Sequence, residues 1–136
     1  MKTKLIIFSF LFSVILANNI YPQADYSDPK NIAGKFLQLF LDGKRFQACK
    51  LYGTDDCEDQ ISILLQKMVM NNMPLKNESC KYKIDSCSVA ASGNSAKCFY
   101  SKVCRNEKNN KKGFLTMIKI DDKWLVEYLY KRDKFL

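Results

Sequence analysis

Residues 80–104 read CKYKIDSCSVAASGNSAKCFYSKVC, and two β-strands joined by a turn account for the pattern. Cys80 to Ala90 and Ser95 to Cys104 carry strand-forming side chains, whereas Ala91-Ser92-Gly93-Asn94 between them is turn chemistry. A two-residue loop at Ser92-Gly93 sets Cys87 opposite Cys98. It leaves Cys80 one residue out of register with Cys104, a slip that a single β-bulge absorbs. Bridging Cys98 to Cys104, or Cys80 to Cys87, along one strand is excluded, because the extended chain between them spans about 20 Å. The remaining pair is Cys49 with Cys57, either side of a Gly53-Thr54 break. The hairpin thus predicts three disulfides: Cys49–Cys57, Cys80–Cys104 and Cys87–Cys98.

Working outward, the chain has 136 residues, a length that suits one compact domain. There are 22 Lys and Arg against 14 Asp and Glu, a net charge of +8, with 47% apolar residues, six Cys and no His. Such a composition excludes a disordered polyelectrolyte and a collagen-like chain. The lack of His removes the commonest general base and metal ligand, and every Ser-His or Cys-His pair. No CxxC occurs, so the thiols read as structural, and neither a metal nor another cofactor is expected.

Lys2 and Lys4 precede an apolar run from Leu5 to Ala17, the pattern of a secretory signal and too short to cross a bilayer by the roughly 20-residue rule. Cleavage after Ala17 or Ala24 would release one α+β domain, residues 25–136, secreted or periplasmic and without a transmembrane anchor. Export to an oxidising compartment agrees with six paired thiols. The charge is uneven: Asp25 to Leu75 holds six basic and seven acidic residues, and Lys76 to the end holds fourteen and seven.

Asp28-Pro29 reads as a helix N-cap followed by Pro at the first position. Ile32, Ala33, Phe36, Leu37, Phe40 and Leu41 recur at helical spacing until Asp42-Gly43 stops them. A second helix fits Lys44 to Tyr52 with Phe46 and Cys49 inward. Thr54 is placed to cap a third, whose stripe is Ile61, Leu64, Leu65 and Met68 and which ends at Pro74. Asp55, Asp56, Glu58 and Asp59 lack Ca²⁺-loop spacing and read as compensation of the helix dipole. Asn77-Glu78-Ser79 is a formal glycosylation sequon. Phe114 to Ile120 and Lys123 to Tyr130 form a last strand pair around Asp121-Asp122. Trp124, Val126 and Tyr128 lie on one of its faces and Leu125 and Leu129 on the other. One face is expected beneath the helices and the other partly hidden, with a second copy of the chain as a candidate cover, giving a homodimer through the sheet.

DPKNIAGKFLQLFLDGKRFQACKLY (residues 28–52) resembles the opening of small secreted bacterial proteins of the nuclear-transport-factor-2-like superfamily, some of them of unknown function. KGFLTMIKIDDKWLVEY (residues 112–128) resembles their closing hairpin, with Asp122 where that pattern has Gly. The resemblance implies a cone of cystatin-like topology: three N-terminal helices on a curved antiparallel sheet of about four strands, with a pocket between them. Phe36, Phe40, Trp124 and Tyr128 are the candidate pocket lining. The superfamily includes isomerases and dehydratases, but no catalytic Asp or His transfers to this chain; Asp85, in the first strand, is the nearest candidate. A cystatin-type inhibitor would carry a Gln-x-Val-x-Gly loop, which is missing.

The leading expectation is a secreted, non-enzymatic domain that binds a small ligand or protein partner through its pocket or sheet face. The alternative is a basic interaction protein, of the immunity type, gripping an anionic partner through its strands and the 105–113 loop, with Arg105, Lys108, Lys111 and Lys112 as the patch. An isomerase or hydratase using Asp85 or a Tyr stands third. Nucleic acid is set aside as a partner, since export is expected and no binding motif occurs.

Overall fold

The first helix begins where Asp28 accepts a hydrogen bond from the Lys30 backbone N–H (3.0 Å) through Oδ1, with Pro29 in the first turn. The computed structural model describes residues 25–74, 79–105, 108 and 110–133, so the expected signal sequence and most of the sequon lie outside the described residues. Helix α1, Pro29–Leu41, buries Ile32, Ala33, Phe36, Leu37, Phe40 and Leu41, the whole expected stripe. Gly43, at φ 76°, turns the chain into α2, Arg45–Tyr52.

Helix α2 departs from expectation in its rotation. Phe46 is 46% exposed, and Arg45, Ala48 and Cys49 are the buried residues. Residues at i, i+3 and i+4 share one helical face, and the Cys49–Cys57 bridge fixes which face turns inward; Phe46 lies about 100° away from Arg45 around the axis. Helix α3, Cys57–Met70, buries Cys57, Ile61, Leu64 and Met68. Asp56 occupies its N-cap without a side-chain cap bond. Thr54 does not cap with its hydroxyl: Oγ1 donates to Asp56 Oδ1 (2.8 Å), while its carbonyl accepts from Cys57 N (3.0 Å).

Four antiparallel strands follow: β1 Cys80–Val89, β2 Ser95–Cys104, β3 Lys111–Ile120 and β4 Lys123–Glu127, neighbours in that order. Cys80 pairs with Cys104 and Cys87 with Cys98, and the register slips once, between Ile84 and Ser86, leaving Asp85 as the extra bulged residue. The connection is longer than the expected two residues. Ala90 N donates to Ser95 O (2.8 Å) and Gly93 takes φ 76°, so residues 91–94 form the loop in the same register. The disulfides join Cys49 with Cys57, Cys80 with Cys104 and Cys87 with Cys98, and no described cysteine is free.

Strand β4 ends at Glu127, short of the expected Tyr130, because Tyr130–Asp133 form a helical turn, α4. Asp133 Oδ2 accepts from Leu129 N (3.0 Å) and Gln60 Oε1 from Tyr130 N (2.9 Å), which draws the chain off the sheet toward α3. The β4 edge is covered, since Thr54 N donates to Val126 O (3.0 Å) and Trp124 N to Tyr26 O (2.9 Å). The helices cover one face of the sheet, with α1 packed on β1 and β4. Ala96, Cys98, Tyr100, Leu115, Met117, Trp124 and Val126 point into that inner face and join Tyr128 in the core, while Lys97, Phe99, Phe114 and Leu125 lie on the outer face. Among the described residues no helix is long and apolar enough to cross a membrane.

Candidate binding site on the inner face

On the inner face one arginine and three tyrosines come together against the apolar core. Gly43 ends α1 so that α2 starts beside it, and the Arg45 guanidinium stacks over the Phe40 ring at 4.8 Å. Tyr82 of β1 meets Tyr100 of β2 edge-on at 5.2 Å, on a diagonal of the inner face. Gly113 of β3 lies opposite Tyr100 and leaves it room: a Cβ there would sit 2.5 Å from Tyr100 Oη. Tyr128 follows β4 and packs on Phe40 at 5.9 Å and on Phe36 at 6.5 Å.

Burial governs the electrostatics. Desolvation pushes the Tyr82 and Tyr128 phenols well above their ordinary value, and Tyr100 up to about 12, with Asp133 adding to the rise at Tyr100 and Tyr128. All three stay protonated donors at neutral pH. Burial also lowers Arg45, an effect that Tyr82 and Tyr128 oppose. Asp133 is engaged elsewhere: besides Leu129 N it accepts from Arg132 Nη2 (3.0 Å) and Nε (3.1 Å). Tyr128 is fully buried, and its hydroxyl has no hydrogen-bond partner. A dry, unpaired hydroxyl costs about 1–3 kcal/mol. Something polar is called for at that point.

The four expected pocket residues are all buried in the core, at 0% (Phe36), 1% (Phe40), 4% (Trp124) and 0% (Tyr128) exposure. Phe36, Phe40 and Tyr128 form one aromatic cluster. Trp124 stands apart, beneath Lys119 at 5.7 Å. Arg45, Tyr82 and Tyr100 escaped the sequence reading. The signal for Arg45 was a charged residue on the face it shares with Ala48 and Cys49; for Tyr82 and Tyr100 it was inward strand parity with Cys80 and Cys98. Asp85, at the bulge, accepts from Ser101 Oγ (2.7 Å) and is exposed.

Of the basic patch, Arg105, Lys108, Lys111 and Lys112 are all exposed; Asn106, Glu107 and Asn109 between them lie outside the described residues. Lys112 shares the outer face with Lys81, Lys83 and Lys97. There Phe99 and Phe114 meet at 6.1 Å with Lys97 Nζ 4.9 Å over Phe114, beside an open depression of about 310 Å³ lined by Ser88, Ser95, Lys97, Phe99 and Thr116. Among the described residues no group of His, Cys, Asp and Glu is arranged to hold a metal ion.

No protein-family model matches the chain, and no curated protein matches it in sequence. In structure it is similar to a Campylobacter jejuni protein, provisionally named an NTF2-like transpeptidase and solved by crystallography at 2.00 Å. The match has a TM-score of 0.51 at 20% identity, over 74% of this chain and 98% of that one. The chain has the NTF2-like fold, an α+β arrangement of helices on a four-stranded antiparallel sheet. The likeness overturns the expectation that the chain is not an enzyme, because the fold is shared with a protein named for a reaction. The physical fault lay in the inference from composition: lack of His excludes imidazole chemistry but leaves carboxylates and phenols able to transfer protons.

Proposed function

We propose that residues 25–136 form an exported domain, stapled by three disulfides, that binds a small ligand on the inner face of its sheet at the cluster of Arg45, Tyr82, Tyr100 and Tyr128. Phe40 and Phe36 supply the apolar floor, and Trp124 lies outside this cluster. The observation that carries the reading is the convergence of three buried polar side chains, Arg45, Tyr100 and Tyr128, and the partly buried Tyr82 at one place against the apolar core, one of them with an unsatisfied hydroxyl. Export is supported by the signal-like residues 1–24 and by three bridges that suit an oxidising compartment. Exposing the oxidised domain to a mixture of lipids, sugars and metabolites, with thermal shift as the readout, tests it. A hit that raises the melting temperature, and fails to do so in Tyr128→Phe, supports the site; a mixture without effect removes it.

A second reading has its own observation. Lys81, Lys83, Lys97 and Lys112 share the outer face with Phe99 and Phe114, an arrangement suited to an anionic partner. It also opposes the symmetric homodimer through that face, since a self-complementary contact would set these lysines against their own copies. Capture of an acidic polymer on immobilised domain at low salt, lost as ionic strength rises, supports this reading; capture indifferent to salt contradicts it.

A further inference from the structure

We propose that the outer face of the sheet docks an acidic polysaccharide, a chain of sugar rings bearing one carboxylate each, and that the depression beside Lys97 seats one of those rings. The proposal rests on the second reading above, narrows it to one partner, and leaves the inner face to the small ligand. Directly opposed residues of antiparallel strands share a face, so the register fixes the pattern. Ser88, Lys97 and Thr116 form one row across the sheet, Ser86, Phe99 and Phe114 the next, and Lys83, Ser101 and Lys112 the third. A band of rings thus lies between two lysine-bearing rows. Along the strands these two rows stand roughly 13 Å apart, and across them Lys83 and Lys112 stand roughly 10 Å apart. Among the described residues none of Lys81, Lys83, Lys97 and Lys112 has an ion-pair partner. The carboxylates beside them are engaged: Asp85 accepts from Ser101 Oγ (2.7 Å), and Glu127 pairs with Arg132 at 3.3 Å. The face therefore calls for negative charge.

What else the face presents selects the carrier of that charge. Strands β2 and β3 are interior, with their backbone donors and acceptors spent on their neighbours, so an extended peptide laid here finds no ladder to join. The depression of about 310 Å³ offers the hydroxyls of Ser88, Ser95 and Thr116, the Lys97 ammonium and the Phe99 ring. None of the three hydroxyls bonds another described residue. A pyranose ring matches this set: its C–H face packs on an aromatic ring, its hydroxyls exchange hydrogen bonds with Ser and Thr, and its carboxylate meets the lysine. Phe99, 41% exposed, is the platform, whereas Lys97 Nζ already caps the Phe114 ring at 4.9 Å. A single nucleic-acid strand would want a succession of open rings on which to stack its bases. The wide spacing of the lysines suits one charge per sugar, and a densely charged chain would leave most of its charges unmatched.

The probes are polygalacturonate oligomers, the same oligomers with every carboxylate methyl-esterified, polyglutamate and oligothymidylate, each titrated calorimetrically against the oxidised domain at low and high salt. Polygalacturonate is expected to bind at low salt about tenfold more tightly than any of the other three, and to shift the Lys97, Phe99 and Thr116 resonances. Phe99→Ala is expected to weaken it by about tenfold with the salt dependence intact. Phe99→Leu, which keeps the bulk and loses the flat ring, is expected to do the same and serves should the alanine variant not fold. Lys97→Gln is expected to flatten the salt dependence. Esterified oligomers binding as tightly as the acid, polyglutamate or oligothymidylate binding as tightly or more so, or affinity unchanged in the Phe99 variants overturns the saccharide assignment. Should polyglutamate bind in a salt-dependent way while polygalacturonate does not, the assignment falls and the second reading stands; if no acidic polymer binds, both fall.

Discussion

Asp121 and Asp122 stand at φ 50° and 61°, so the closing hairpin turns on two non-glycine residues in left-handed backbone. A two-residue turn with both φ positive matches the twist of the flanking strands, and Asp tolerates it better than most residues but worse than Gly. Asp122→Gly is expected to stabilise the domain by about 1 kcal/mol, measured by urea unfolding; a loss would contradict the turn assignment. Gly113 behaves in the opposite sense. It needs no left-handed backbone, yet Gly113→Ala would drive a methyl into Tyr100 Oη, and is expected to cost about 1–3 kcal/mol and to disturb the tyrosine signals of the site. The turn was legible because Asp-Asp sits between two strand patterns. The site was not, because burial of Arg45 depends on the azimuth of an eight-residue helix, and a disulfide to the next helix sets that azimuth.

Among the elements, the β1–β2 hairpin was read most completely, since cysteines at fixed offsets constrain register as propensity alone cannot. The bulge at Asp85 makes a specific prediction. Deleting Asp85 restores regular alternation and keeps Ile84 opposite Tyr100, so all three bridges should survive, at a cost of about 1 kcal/mol for the lost bond from Ser101. A non-reducing peptide map that finds Cys80 and Cys104 unpaired in that variant would refute the register. Replacing both Cys80 and Cys104 by Ser should cost about 3 kcal/mol. This is the largest loss of the three pairs, because its sequence separation of 24 exceeds 11 for Cys87–Cys98 and 8 for Cys49–Cys57. The end of β4 was misread for a tertiary reason: Gln60, on α3, takes the Tyr130 N–H that a longer strand would have kept.

At the scale of the whole molecule, the protonated tyrosines tie the site to stability. Their folded values lie above the ordinary 10, so the folded state holds its protons where the unfolded chain has begun to lose them. Stability from this source is complete below pH 10 and is lost as the pH rises through about 12, where Tyr100 ionises, and beyond. Ultraviolet titration should accordingly leave Tyr82, Tyr100 and Tyr128, of seven tyrosines in the chain, un-ionised until the domain unfolds. Early, reversible ionisation of all seven would deny that the cluster is buried. The two faces of the sheet offer rival sites, apolar with a polar core within and lysine-bearing without, and one measurement separates them. Chemical-shift mapping of the first small molecule found to stabilise the oxidised domain is expected to place the largest changes at Arg45, Tyr82, Tyr100 and Tyr128. Changes confined to Lys97, Phe99, Phe114 and Thr116 would contradict the inner-face account.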